Sequence, residues 1–145
     1  MSITLEIQSR LDQVRLIRAA VTGVLAHLGV AEADVLSLEL AIAELVNNSV
    51  EHGYENAENE QIRVKIEVVG AVVQVEIIDH ATEFPEDQRY RLLEDPLALE
   101  DADEQWASRG HGIQIVRQIV DSIALKREHA QNILTLCKSV TLKES

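Results

Sequence analysis

Hydrophobic residues recur at helical intervals twice in the first third of the chain. Leu11, Val14, Ile17, Val21, Leu25 and Leu28 form one stripe, closed by Gly29. Leu38, Leu40, Ile42, Leu45, Val46 and Val50 form a second, within Leu36 to Tyr54. Both read as amphipathic helices. Ser9, with Asp12 three residues on, is a start signal for the first. Glu32 and Asp34 open the second, where they meet the helix dipole favourably. Gly53 is expected to end it in a left-handed conformation.

Elsewhere the period is two. Ser2 to Ile7, Ile62 to Val68 and Val73 to Ile77 alternate as strands do, the last two joined at Gly70-Ala71. Ser122 to Lys126 and Ile133 to Val140 read as a hairpin around His129 to Asn132. Ile113, Val116, Ile119 and Val120 mark a third helix. Between Thr82 and Ser108 no strand is evident and the helical pattern is weak, with two prolines and a run of acids. A stretch of that length without structure of its own is usually functional or mobile. The order is β-α-α-β-β-(long loop)-α-β-β. It predicts an α+β fold: a two-layer sandwich with an antiparallel or mixed sheet and helices on one face. No linker or repeat divides it, so residues 1–145 read as a single domain, with a lid loop at about 82–110.

The polar positions of the second helix carry chemistry. Glu44, Asn47, Asn48, Glu51 and His52 share one face. A plain wet face would use Glu and Lys, because Asn inside a helix costs roughly 0.5 kcal/mol relative to Ala. Adjacent Asn residues therefore suggest amides that bind something. Asp79 falls on the core side of its strand, where a carboxylate needs hydrogen bonds. The other reading, of equal weight from this feature alone, is that the strand has ended and Asp79 turns outward, capping a turn. Gly110 and Gly112 open a helix, a setting in which backbone N–H groups approach phosphate oxygens, although G-x-G alone is a weak signal.

The formal net charge of −12 argues against nucleic acid as a direct ligand and favours a basic protein partner or simple solubility. No run is long and apolar enough to span a membrane. The single Cys137, read as a small buried hydrophobe, fits a reducing cytoplasm. Arg10, Arg15 and Arg18 form a basic patch on the first helix; solvation is the ordinary reading of each, and partner binding a reading of the cluster.

These motifs together resemble the serine-kinase anti-sigma factors of bacterial partner-switching systems. Those belong with the ATPases that include gyrase, Hsp90, histidine kinases and MutL (the GHKL superfamily, with the Bergerat-type ATP-binding fold). The resemblance covers about Ile3 to Val140, and its most specific motif is Glu44-Leu-Val-Asn-Asn48-Ser-Val-Glu-His52-Gly53-Tyr54. It implies that Asn48 ligates Mg²⁺ beside ATP and that Glu44 is general base toward an acceptor serine. Asp79 would bind the adenine amino group, with Ala81 beside it. Gly110, His111, Gly112 and Ile113 would line the phosphates, and Arg109 would meet phosphate charge from the lid. Arg18 would contact protein partners, and His52 would support the site. The implied partners are an anti-anti-sigma protein with a STAS domain, a sigma factor and a second copy of the chain.

Two positions depart from the family. Its adenine motif usually reads Asp-x-Gly; here it is Asp79-His80-Ala81. The last hairpin usually carries Gly-Thr; here Gln131-Asn132 align, and Asn132 could replace the lost hydrogen bond. The alternative to a kinase is therefore a catalytically weakened or inactive partner-binding module on the same fold. An output domain separated from a histidine kinase fits less well, because the first strand and helix look integral. A metal hydrolase built on Glu44 and His52 lacks further ligands at suitable spacing.

Overall fold

The structure, a computed structural model, describes residues 1–94 and 112–143. Among the described residues five strands and four α-helices follow in the order β1 (Ser2–Gln8), α1 (Leu11–His27), α2 (Glu32–Asn48), β2 (Gln61–Val69), β3 (Val72–Asp79), α3 (Glu86–Leu93), α4 (Gly112–Ile119), β4 (Ser122–Glu128) and β5 (Gln131–Ser139). The strands form one sheet in the order β1-β2-β3-β5-β4. Every pairing is antiparallel.

Period-two alternation decides the layers. Ile62, Val64 and Ile66 of β2, Val73, Val75 and Ile77 of β3, and Leu134 and Leu136 of β5 point to one side and are buried. The helices cover that side. Val14, Ile17, Val21 and Leu25 of α1 join Leu38, Ile42, Leu45 and Val46 of α2 in the same core. Leu11 and Leu40, counted in the helical stripes by spacing, are exposed instead. The opposite sheet face carries Arg63, Lys65, Gln74, Glu76 and Thr135, all half-buried. Cys137 lies there as well, next to the Gln74 side chain, not in the core.

The turns depart from the expectations in instructive ways. Ser9 does not cap α1; its hydroxyl donates to the Ala57 carbonyl and accepts the Glu60 N–H at 3.1 Å. It thus ties the end of β1 to the loop before β2. Gly29 does take a left-handed φ of +83°, but Gly53 does not; Glu55 and Asn56 carry the positive φ angles after α2. Between them, Ser49–Gly53 form a turn of π-helix, closed by Tyr54 N–H on the Ser49 carbonyl at 2.8 Å. The expected long loop contains α3, so the lid reading of 82–110 holds a helix at its start; its remainder, 95–110, lies outside the described residues.

The last hairpin is tighter than its sequence implied. Only His129 and Ala130 separate β4 from β5, with φ of 51° and 61°. Two consecutive positive φ values make the primed turn that suits strand twist, usually built from Asn and Gly. A side chain in that conformation is disfavoured by about 1 kcal/mol. Ala130→Gly is accordingly expected to stabilise the protein by roughly 0.5–1 kcal/mol, read as a raised denaturant midpoint at constant m-value. The short turn also extends β5 back to Gln131 and puts Asn132 directly opposite Asp79.

Candidate functional site

The polar face of α2 opens onto a pocket of about 350 Å³. Glu44, Asn47, Asn48, Glu51 and His52 line it, with Gln88 and Arg91 of α3 and Gly112 and Ile113 of α4 opposite. The wide π turn carries this face past the end of α2; such turns recur at functional sites. Burial raises the Glu44 carboxyl above the ordinary carboxylate range, the nearby Glu51 charge adds to it, and Arg18 partly opposes. A carboxylate of raised pKa is a stronger base at neutral pH. A Cβ at Gly112 would overlap the Glu44 carboxylate, so glycine here lets that carboxylate lie against the start of α4, and any side chain would push it aside.

A second chamber of about 130 Å³ adjoins the first, sharing Asn48, His52 and Gln88. Asp79 stands in its wall, 3% exposed. Of the two readings left open by the sequence, the inward one holds, because β3 runs through Asp79 and pairs it with both Ile62 and Asn132. Three donors meet the carboxylate. Ser49 Oγ donates to Oδ2 at 2.7 Å, and Asn132 Nδ2 and the Ala81 N–H donate to Oδ1 at 2.9 and 3.1 Å. A carboxylate offers about four lone-pair sites, so one acceptor site is left on Oδ2. Ala81, Phe84 and Pro85 add apolar wall to the same chamber.

Ala81 keeps a negative φ and is buried against Gly53; a methyl at Gly53 would stand 3.0 Å from the Ala81 Cβ. Glycine at 53 therefore answers a demand for space, not for a left-handed backbone. Tyr54, which closes the motif, braces this corner. Its hydroxyl donates to the Gln61 carbonyl at 2.7 Å and accepts the His80 N–H at 2.6 Å. Burial is the main cause that pushes its phenol up to about 12. Tyr54→Phe leaves one carbonyl and one N–H without these partners and is expected to lower stability by about 1–3 kcal/mol in chemical denaturation.

Of the residues singled out from sequence, Glu44, Asn48, Gly112 and Ile113 meet in the larger chamber, and Asp79, Ala81 and Asn132 in the smaller. Arg109, Gly110 and His111 lie outside the described residues. Arg18 is half-exposed on α1 and pairs with Glu39 of α2 at 2.9 Å. Ser49 and Arg127 were not singled out. Ser49, a polar residue on the buried side of the π turn just after Asn48, is a readable signal; nothing local to Arg127 marks it.

A family model described as the histidine kinase-like ATPase domain matches residues 7–138. The chain belongs to that family. Within it, the chain is 24% identical over 132 residues to a protein of Listeria innocua named serine-protein kinase RsbW, covering 91% of this chain and 83% of that one. It is 32% identical over 78 residues to the anti-sigma F factor of Clostridium botulinum, 54% of each chain. Its fold resembles the crystal structure of RsbU and RsbW domains from a Mycobacterium tuberculosis protein, with a TM-score of 0.67 and 19% identity. That match covers 97% of this chain and 32% of that one. The family's fold is thus the α+β sandwich expected from the alternation of patterns.

A histidine kinase-like ATPase domain implies the use of ATP, and the two chambers fit it. The smaller has a buried acceptor and apolar walls, which would suit a base carrying an amino group; the larger has polar walls and the first residues of α4, which would suit phosphates. The donor set beside it, one amide of Asn48 with carboxylates near, suits Mg²⁺, which takes one or two protein oxygens and completes its shell with phosphates and water. Among the described residues no helix is long and apolar enough to cross a membrane.

Proposed function

We propose that this chain is a cytoplasmic protein serine/threonine kinase and anti-sigma factor, acting as one domain over residues 1–145. It would phosphorylate a STAS-type anti-anti-sigma protein and hold a sigma factor when that antagonist is phosphorylated. The observation that carries this reading is the pair of adjoining chambers, one ending at Asp79 and the other at Glu44 and Asn48. The names of the relatives, serine-protein kinase and anti-sigma F factor, support it.

Bound ATP and Mg²⁺ would supply the transferable phosphoryl group and neutralise its charge. The chain's own part is positioning. Asp79 fixes the base by accepting from its amino group. Asn48 would give one oxygen to the metal. Glu44 receives the proton of the acceptor serine, a role its raised pKa suits. The backbone N–H groups of Gly112 and Ile113 would serve phosphate oxygens, and roles there for Gly110, His111 and Arg109, which lie outside the described residues, belong to the same reading. Arg18 contacts a protein partner, and a homodimer is part of the same reading.

Two expected results follow from the larger chamber. Asn48→Ala should weaken nucleotide binding by about tenfold with Mg²⁺ and hardly at all without it, the loss of one metal-linked hydrogen-bonding group. Equal losses in both titrations would count against Asn48 as a metal ligand. Gly112→Ala places a methyl where the Glu44 carboxylate lies, and that flexible carboxylate is the group that yields. Phosphoryl transfer should fall at least tenfold while stability changes by less than about 1 kcal/mol, since a small misplacement of a reacting group is enough to slow chemistry.

The alternative, a partner-binding module without transfer activity, drew on Ala81 and Asn132. Ala81 fits against Gly53 with ordinary backbone, and Asn132 hydrogen-bonds Asp79 directly. A radiolabel-transfer assay against a STAS-domain protein separates the readings. Label on the partner supports the kinase; ATP binding with no transfer supports the module.

A further inference from the structure

Arg127 extends from the edge strand β4, where sequence reading gave it no role. Its Nη1 donates to the Asn132 Oδ1 at 2.9 Å and to the Ala81 carbonyl at 3.1 Å. Asn132 is 3% exposed, and its amide is surrounded by groups that leave no choice of orientation. On one side stands a guanidinium, which only donates. On the other stand Asp79 Oδ1 at 2.9 Å, the Thr82 carbonyl at 2.9 Å and the Ala81 carbonyl at 3.3 Å, all acceptors. Rotating the amide by half a turn would set Nδ2 against the guanidinium and Oδ1 against the Asp79 carboxylate.

We propose that Arg127 is a positioning residue for base selection: it locks the Asn132 amide, which occupies Asp79 Oδ1 with a donor and leaves Oδ2 as the acceptor that distinguishes a 6-amino purine from a 6-oxo purine. The proposal rests on the reading of the smaller chamber as the base-binding end of an ATP site. Its physical basis is mismatch. A 6-oxo purine presents an oxygen where Asp79 needs a donor, and two acceptors facing each other in a buried chamber are strongly disfavoured. Discrimination requires that Asp79 stay fixed. Without Arg127 the three acceptors still hold Nδ2 toward Asp79, but Asn132 Oδ1 is left without its donor, so the side chain is held less firmly and the carboxylate can turn to present either oxygen, with or without a bridging water. Arg127 also ties down the Ala81 carbonyl, so the segment after β3 stays closed over the chamber.

The test is calorimetric titration with ATP and with inosine triphosphate, on wild type, Arg127→Ala and Arg127→Lys. Arg127 is exposed on an edge strand, so its loss leaves the core intact; a thermal melt of each variant reports this. Wild type is expected to prefer ATP. In Arg127→Ala that preference should fall at least tenfold, through weaker ATP binding with inosine triphosphate little changed, and Arg127→Lys should recover part of it. An unchanged preference, or equal losses for both nucleotides, would overturn the role of Arg127 while leaving the ATP site standing. Failure of wild type to bind either nucleotide would overturn the reading of the chamber itself, and this proposal with it.

Discussion

Glu44→Gln is expected to cut phosphoryl transfer by about 10²–10⁴-fold and to leave ATP affinity within about twofold, the range for loss of a positioned general base. The amide keeps the size of the side chain and its place beside Gly112 but cannot take a proton. The wild-type pH profile carries a second signature. Burial and Glu51 both hold the Glu44 carboxyl above its ordinary range. The competent form is the deprotonated one, so transfer should fall as pH drops through that raised value. The acidic limb should therefore lie above the usual carboxylate pKa, and in Glu44→Gln it should disappear. Loss of ATP binding in the variant would make Glu44 a structural residue of the pocket instead.

Asp79→Asn is expected to weaken ATP by about 10- to 100-fold, the worth of a hydrogen bond to a charged acceptor plus a mismatched one. The variant amide has one oxygen for three donors, Ser49 Oγ, Asn132 Nδ2 and the Ala81 N–H. Its NH₂ must face at least one of them or the incoming base. Some stability should be lost too, about 1–3 kcal/mol for a buried donor without a partner. A thermal melt of the free variant separates the two effects. Unaltered ATP affinity in a folded variant would remove Asp79 from the base-binding role.

The part of this site carried by local periodicity was legible. Glu44, Asn47, Asn48, Glu51 and His52 share a face because helical geometry alone decides it, and that face lines one pocket. Strand alternation likewise gave the layers of the sandwich. Whether Asp79 pointed in or out could not be read, because alternation holds only while the strand continues. Its continuation depends on pairing with Ile62 and Asn132, far away in sequence. Ser9 illustrates the same limit. Its spacing to Asp12 suits a cap, yet its hydroxyl is engaged by Ala57 and Glu60 across the fold. Gly53 was legible as necessary but for a different reason, since only the packed structure shows Ala81 against it. Arg127 gave no local signal, and its contacts exist because a two-residue turn folds β4 back beside Asn132.

In the proposed reading the two adjoining chambers form one ATP site completed by Mg²⁺. Calorimetric titration of the purified chain with ATP, with and without Mg²⁺, tests it most directly. Binding in the micromolar range that weakens clearly when Mg²⁺ is withheld is the predicted result. No binding under either condition, from protein shown to be folded, would contradict the account.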